Sequence, residues 1–336
     1  MREPYVLEIL DQPAALQRVL DAGVDPDVRS LVGRLHEFDR IVTTGMGSSL
    51  NAMHPTFLRL AERGLPVWNL ETADLLAGAS GLLGPRSLLW LTSQSGESAE
   101  IVALLEQISG TKPAVLASTS DLSSTLAARA DAVIDLRAGG ELTVSAQSYL
   151  NTLAASTLAV DVALGMEHDA ELMRAPEALA AYLADWDEHV AALDAALQQP
   201  TLFIIGRGAS LAAARTGALI IKEAAKTAVE AMSAPQFRHG PLEMAGPDVG
   251  VVLLAGWGDD KRANLRTEAD LRDAGAQVVV VVPGARGAGA APALTSPPAA
   301  PLAEMVPLQG LSVALARRRG VEPGAFARIG KVTTTL

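Results

Sequence analysis

The chain has 336 residues, with 27 Lys plus Arg against 38 Asp plus Glu and a formal net charge of −11. That balance argues against a general binder of nucleic acid or of an anionic membrane, because both attract cationic surfaces. Without cysteine there are no disulfides, thiolate metal sites or cysteine nucleophile, and the opening MREPYVLEIL lacks the apolar core of a signal peptide. No apolar run reaches membrane-spanning length, so a cytoplasmic protein of two domains is expected.

A helical segment is expected over 1–38. Short apolar runs then alternate with helical patterns, the signature of βαβ units and a parallel sheet. Strands are expected at 40–45, 66–70, 87–93, 113–118 and 132–136, with helices over 48–63, 97–108, 121–129 and a long one across 145–165. The stretch 168–199 reads as a helical linker. A second set of runs predicts a strand at 201–208, a helix over 210–226, strands at 251–256 and 277–282, and a charged helix over 259–273. The Gly/Ala/Pro-rich segment 284–301 is expected to be a flexible surface loop, followed by a last helix over 307–319. The domains are thus placed at 39–167 and 200–325, with a tail over 326–336.

The second half repeats the first. IVTTGMGSSLNA at 41 matches LFIIGRGASLAA at 202, so that Gly45, Gly47, Ser49 and Leu50 recur as Gly206, Gly208, Ser210 and Leu211. Glycines two residues apart after a strand let the backbone turn tightly into a helix. A single such turn speaks only for packing, whereas its recurrence in matching context indicates a duplicated domain.

Between the third strand and its helix lies TSQSGESAE (92–100), with hydroxyls at Thr92, Ser93, Ser95 and Ser98. One serine suffices to cap a helix. The surplus suggests a cradle for an anion, since a helix N-terminus presents unpaired N–H groups and the positive end of a dipole. No Lys or Arg lies in the turn, so a nucleoside triphosphate fits poorly and a single phosphate or carboxylate fits better. In the repeat this place is taken by AGWGDDKRA (255–263), whose acidic residues do not suit phosphate, so one anion site per chain is expected.

Of five histidines, His36, His54, His168 and His189 sit in helical or linker contexts, and no pair has metal-ligand spacing, so no metal is expected. His239 lies in the turn-rich APQFRHGPLEM and is read as part of a fixed loop. Phe237, Leu242 and Met244 in that loop are suited to docking on another surface or to packing within the chain. Glu223 follows Lys222 on the helix after the second Gly turn, whose start must face the carboxyl edge of the sheet, where ligands of doubly wound folds bind.

The ordered set GMGSS, SQSGES, KEAAKTAVEAMSAPQFRHGPLEM and GKVTTT resembles the double sugar-isomerase (SIS) family over nearly the whole chain. It is most similar to the isomerase half of glucosamine-6-phosphate synthase and to stand-alone amino-sugar-phosphate isomerases and deaminases. The resemblance implies two tandem doubly wound, flavodoxin-like parallel-sheet α/β domains, no cofactor, and a homodimer with shared active sites. It implies a sugar-phosphate cradle of Ser49, Ser93, Gln94, Ser95 and Ser98, with Gly47, Ser48, Val144 and Ser145 against the sugar. By the same resemblance Glu223 is the base that moves a proton between C1 and C2, His239 opens the sugar ring, and Lys331 meets the sugar carbonyl from a tail folded over the site. With no cysteine nucleophile behind the opening Met-Arg, glutamine-dependent synthesis is not expected.

TVSAQSYLNT (143–152) departs from the family, with Ser148 in place of a lysine and Ala146 in place of a sugar-contacting serine beside Ser145. The expected activity is an aldose–ketose isomerase on a phosphorylated or otherwise anionic sugar, or an amino sugar with loss of ammonia. The alternative is a non-catalytic sugar-phosphate-binding regulatory module. Such regulators carry a DNA-binding head, and the roughly 38 residues before the first strand are too few and too acidic for one.

Overall fold

The computed structural model describes every residue except Met1, Ile329, Thr334 and Leu336. Helices α1 (Pro4–Leu10), α2 (Gln12–Ala22) and α3 (Pro26–Val32) open the chain. Then come β1 (Arg40–Gly45), α4 (Gly47–Ala52), α5 (His54–Glu62), β2 (Val67–Glu71), α6 (Thr72–Ala77), β3 (Ser87–Thr92) and α7 (Ala99–Gln107). β4 (Ala114–Thr119), α8 (Thr125–Ala128), β5 (Ala132–Asp135) and the long α9 (Gln147–Ala163) complete the first sheet and its helices. Helices α10 (Ala170–Met173), α11 (Ala175–Leu183) and α12 (Trp186–Ala196) lead to β6 (Thr201–Gly206), α13 (Ser210–Ala225), β7 (Glu230–Ser233) and α14 (Ala234–Arg238). The last elements are β8 (Val249–Leu254), α15 (Gly258–Asp273), β9 (Gln277–Pro283), β10 (Ala290–Ala291) and α16 (Ala300–Arg318).

Both sheets are parallel throughout and share one topology, β2-β1-β3-β4-β5 and β7-β6-β8-β9-β10. The chain is therefore α/β with two tandem doubly wound sheets, as the repeated βα pattern implies. Packing divides it into two compact units that are not contiguous in sequence. The first-sheet unit comprises Ala14–Glu141, Gln147–His168 and Ala327–Leu336; the second-sheet unit comprises Met1–Pro13, Leu142–Ala146 and Asp169–Phe326.

Each unit has its own core. In the first, Val42, Leu89, Leu91 and Val115 from the strands meet Leu75, Ile101, Leu104 and Leu105. β3 is buried at every residue, as a central parallel strand covered on both faces must be. In the second, Phe203, Ile205, Val251, Leu253 and Val278 meet Phe237 and Leu271. Helix α13 lies along α16 so closely that a Cβ on Gly217 would come within 2.5 Å of Leu308.

Several local expectations change. The helix expected over 48–63 is two helices, broken at Met53 because Pro55 cannot continue the ladder but suits the first turn of a new helix. The helix expected over 121–129 shrinks to one turn, started by Ser124 accepting from the Ala127 N–H. The segment 284–301 is not a free loop: Ala290–Ala291 pair with β9, Leu294 is fully buried, and α16 begins at Ala300. Pro307 thus lies inside α16, within an unbroken buried stretch from Ala300 to Ala316, where burial outweighs the propensity penalty. Strand β7, the short stretch EAMS, lies outside the expected strands. Among the described residues no helix is long and apolar enough to cross a membrane.

Candidate functional site

In the first sheet the chain turns one way from β1 to β2 and the other way from β1 to β3, so the carboxyl ends of β1 and β3 form the switch point where ligands bind in such sheets. The register pairs Gly45 with Thr92, so the turn into α4 and the turn into α7 leave the sheet side by side. They approach this closely because Gly45 has no side chain; a Cβ there would stand 2.7 Å from the Thr92 carbonyl oxygen. The turns expected to form the cradle therefore share one edge.

Two of the hydroxyls hold the second turn in shape. Ser93 is buried, donates its N–H to the Ser118 carbonyl (3.0 Å), and its Oγ accepts from the Gly96 N–H at 3.1 Å. The Oγ of Ser95 accepts from the Glu97 N–H at 3.2 Å. The Gln94 carbonyl is fixed by the Ser120 N–H (3.0 Å) and by Thr119 Oγ1 (3.2 Å) at the end of β4. The carboxylate of Glu97 is engaged by the start of α8, accepting from the N–H and Oγ1 of Thr125. Ser98 stands at the N-cap of α7 with extended φ/ψ, yet its hydroxyl makes no capping bond, contrary to the simplest expectation for this turn. Ser49 lies in the first turn of α4, whose N-terminus also has no side-chain cap. The N-termini of α4 and α7, neither closed by a side-chain cap, thus converge where an anion would sit, with the half-buried Ser48, Ser49, Gln94, Ser95 and Ser98 around them and Gly47 exposed.

The tail belongs to the same unit. The Thr333 carbonyl accepts from the Ala99 N–H at 2.9 Å, so it occupies the first amide of α7. Lys331 donates from Nζ to Oε2 of Glu141 at 2.8 Å. Glu141 was not singled out from the sequence. Its side chain is fully buried and accepts in addition from the Ser148 N–H (3.1 Å) and Oγ (2.7 Å). Ser148 is thus committed to holding Glu141. The only sequence signal was a lone acid behind Gly139 and Gly140, just before the long helix.

The remaining expected residues belong to the second-sheet unit. Val144 and Ser145 lie on the segment Leu142–Ala146, which Glu8 grips by accepting from the N–H groups of Leu142 (2.6 Å) and Thr143 (3.2 Å). Glu223 corrects the argument made from its helix. It lies in the last turn of α13, about 20 Å along the axis from Ser210, and hence at the end away from the carboxyl edge of its own sheet. It is half-buried, three residues before the left-handed Lys226, whose ammonium donates to the Ala325 carbonyl at 2.7 Å. His239 directly follows a short helix within the segment read as a fixed loop. Ser233 caps that helix, and His239 closes it, with its N–H bonded to the Gln236 carbonyl and its ring exposed. Phe237 is not available for docking: it is fully buried edge-to-face on Phe203, centroids 5.2 Å apart. Met244 remains 55 % exposed.

The SIS domain family model matches residues 34–166 and 197–298. The glutamine–fructose-6-phosphate aminotransferase (isomerizing) of Thermococcus kodakarensis is 29% identical over 349 residues, covering 97% of this chain and 57% of its own length. The chain thus spans just over half of that relative. A provisionally assigned phosphosugar isomerase of Silicibacter pomeroyi DSS-3 has the same fold, with TM-score 0.80, 28% identity, and coverage of 96% and 100% of the two chains. The glucosamine-6-phosphate deaminase of Thermotoga maritima shares the fold at TM-score 0.78 and 20% identity, with 98% and 99% covered. With two matched segments, one on each sheet and together more than half its length, the chain belongs to the SIS domain family.

Proposed function

We propose that the protein is a sugar-phosphate isomerase that interconverts an aldose and a ketose phosphate. The observation that carries this reading is the pair of serine-rich turns at the first switch point, where two helix N-termini meet without side-chain caps in an SIS chain. Hydrogen bonds to a charged phosphate are worth roughly 1.5–3 kcal/mol each, so Ser49, Ser93, Gln94, Ser95 and Ser98 suffice to hold one phosphate. Gly47, Ser48, Val144 and Ser145 would lie against the sugar. His239 would open the ring. Glu223 would take the proton from C2 of the open aldose and return it to C1, so that C1 becomes the alcohol and C2 the carbonyl. The ammonium of Lys331 would support the enediol oxygen, held by its bond to Glu141. Thr333 on Ala99 gives the tail a latch on the helix that would bind the phosphate, consistent with a closed site during turnover. On a 2-amino sugar the same transfer leaves a ketimine at C2, which water converts to ketose and ammonia.

The test is a panel of sugar phosphates and 2-amino-sugar phosphates incubated in D₂O and followed by NMR. Solvent deuterium at C2 of the aldose or C1 of the ketose, with the partner sugar appearing, is expected for one member. Ammonia release marks the deaminating variant. Saturable binding of sugar phosphates without exchange or turnover would instead favour a regulatory module.

A further inference from the structure

The two sheets share one topology, and their registers give a residue-by-residue correspondence between the turns. By the repeat, Thr44 and Gly45 of β1 correspond to Ile205 and Gly206 of β6, and Thr44 faces Leu91 of β3 as Ile205 faces Leu253 of β8. Ser210 therefore stands where Ser49 stands in the first sheet, Gly256 where Gln94 stands, and Asp260 where Ser98 stands. In the second sheet these positions are occupied. The Ser210 hydroxyl donates to Oε1 of Glu304 at 3.0 Å, and the Gly256 N–H donates to the same oxygen at 3.2 Å. Glu304 comes from α16, is fully buried, and its Oε2 has no hydrogen-bond partner among the described residues. Asp260 covers the rim: its Oδ2 would lie 2.9 Å from a Cβ on Gly208, and Arg207 faces it with Nε 3.6 Å from Oδ1.

From these contacts we infer that Glu304 is a built-in occupant of the second repeat's anion cradle, its carboxyl group standing where a ligand anion would bind. A buried carboxyl group is expensive to desolvate and is retained where donors await it. Here the donors are the groups that correspond to the cradle of the first sheet. The arrangement leaves one open cradle per chain, and it ties α16 to the N-terminus of α13, the helix that carries Glu223. The inference rests on the reading of the first-sheet turns as an anion cradle. Its test is a stability test without any sugar, so the two readings can fail separately.

Glu304→Ala deletes one methylene and the carboxylate, the atoms that acetate supplies. At pH 8 the variant is expected to melt roughly 5–10 °C below wild type in sodium chloride. Sodium formate or acetate at matched ionic strength should raise its melting temperature saturably, leave wild type unchanged, and lose this effect once Ser210→Ala is added. Should Glu304→Ala fail to fold in chloride, the same salts are compared by refolding yield. Glu304→Gln, which keeps an oxygen on Ser210 and Gly256, should fold and be indifferent to formate. No difference between formate and chloride for Glu304→Ala in either readout, or equal rescue in the Ser210→Ala double variant, overturns the inference.

Discussion

At the scale of single residues, two buried acids hold segments of the fold in place, and neither is marked by a pattern in the sequence. Glu141 and Glu304 are both almost wholly buried, one holding Lys331 and the other the second Gly turn. A glutamate among alanines and leucines reads as a surface position on an amphipathic helix, and only the packing of both faces of α16 shows otherwise. Burial pushes the Glu304 carboxyl up to about 7, because desolvation outweighs the bonds from Ser210 and Gly256. The consequence for stability has a definite sign. A carboxyl raised above its unfolded value stabilises the fold fully below about pH 4.5, and that contribution is lost as pH rises through about 7. The shift corresponds to roughly 3 kcal/mol as an order of magnitude. Its surroundings are the neutral Ser210 and the Gly256 amide, with the Arg207–Asp260 pair at the rim. Urea unfolding of wild type and Glu304→Gln at pH 5, 6, 7 and 8 is expected to show wild type losing stability relative to the variant as pH rises. A difference that is flat across this range removes Glu304 from the account of pH dependence.

At the scale of elements, the turn from β3 into α7 depends on one glycine. Gly96 has φ 64°, and a Cβ there would stand 2.2 Å from the Ser124 Oγ and 2.6 Å from its Cβ. Gly96→Ala combines left-handed strain with overpacking and should cost about 2–4 kcal/mol. Because Ser93 holds the Gly96 N–H and Leu126 N–H holds the Gly96 carbonyl, the displaced turn should also raise KM for the sugar phosphate. Gly110→Ala, with ordinary φ and no atom within 4 Å, is the control and should change neither. Equal melting temperatures for the two variants would show that the turn is not held by this contact. The five strands of the first sheet and β6, β8 and β9 of the second are legible because β-branched and leucine runs between polar turns have no other use in a chain of this length, and the correspondence of the two Gly turns follows from their repetition. What escaped was set by tertiary contact. β10 is two alanines whose only strand signal is their pairing with β9, β7 is four residues with no apolar run, and α16 runs through Pro307 because its surface is covered from Ala300 to Ala316. The direction of α13 is legible too, and Glu223 lies in its last turn, away from the end that faces the carboxyl edge.

At the scale of the whole molecule, the candidate residues are divided between the two packing units. The cradle, Lys331 and Glu141 belong to the first-sheet unit, while Glu223, His239, Val144 and Ser145 belong to the second. No pattern in the sequence announced that residues 1–13 and 142–146 would pack with the second sheet, since that division is decided by contacts such as Glu8 on Leu142 and Arg317 on Glu3. The resemblance carries a further expectation, that His239 serves a site in a second copy of the chain. Its exposed ring, two residues after a fully buried Phe237, is compatible with that role because the short helix ends with the histidine at the surface. Glu223→Gln and His239→Asn should each lower turnover about 10²–10⁴-fold when alone, the usual contribution of a positioned acid or base. If Glu223 of one chain works with His239 of the other, a mixed dimer of the two variants contains one site with both residues intact. Equimolar co-refolding makes half of the dimers mixed, so about a quarter of wild-type activity should return. Native mass spectrometry counts the mixed dimers directly. Their presence without recovered activity would confine His239 to its own chain's site, and a strictly monomeric protein at working concentration would do the same.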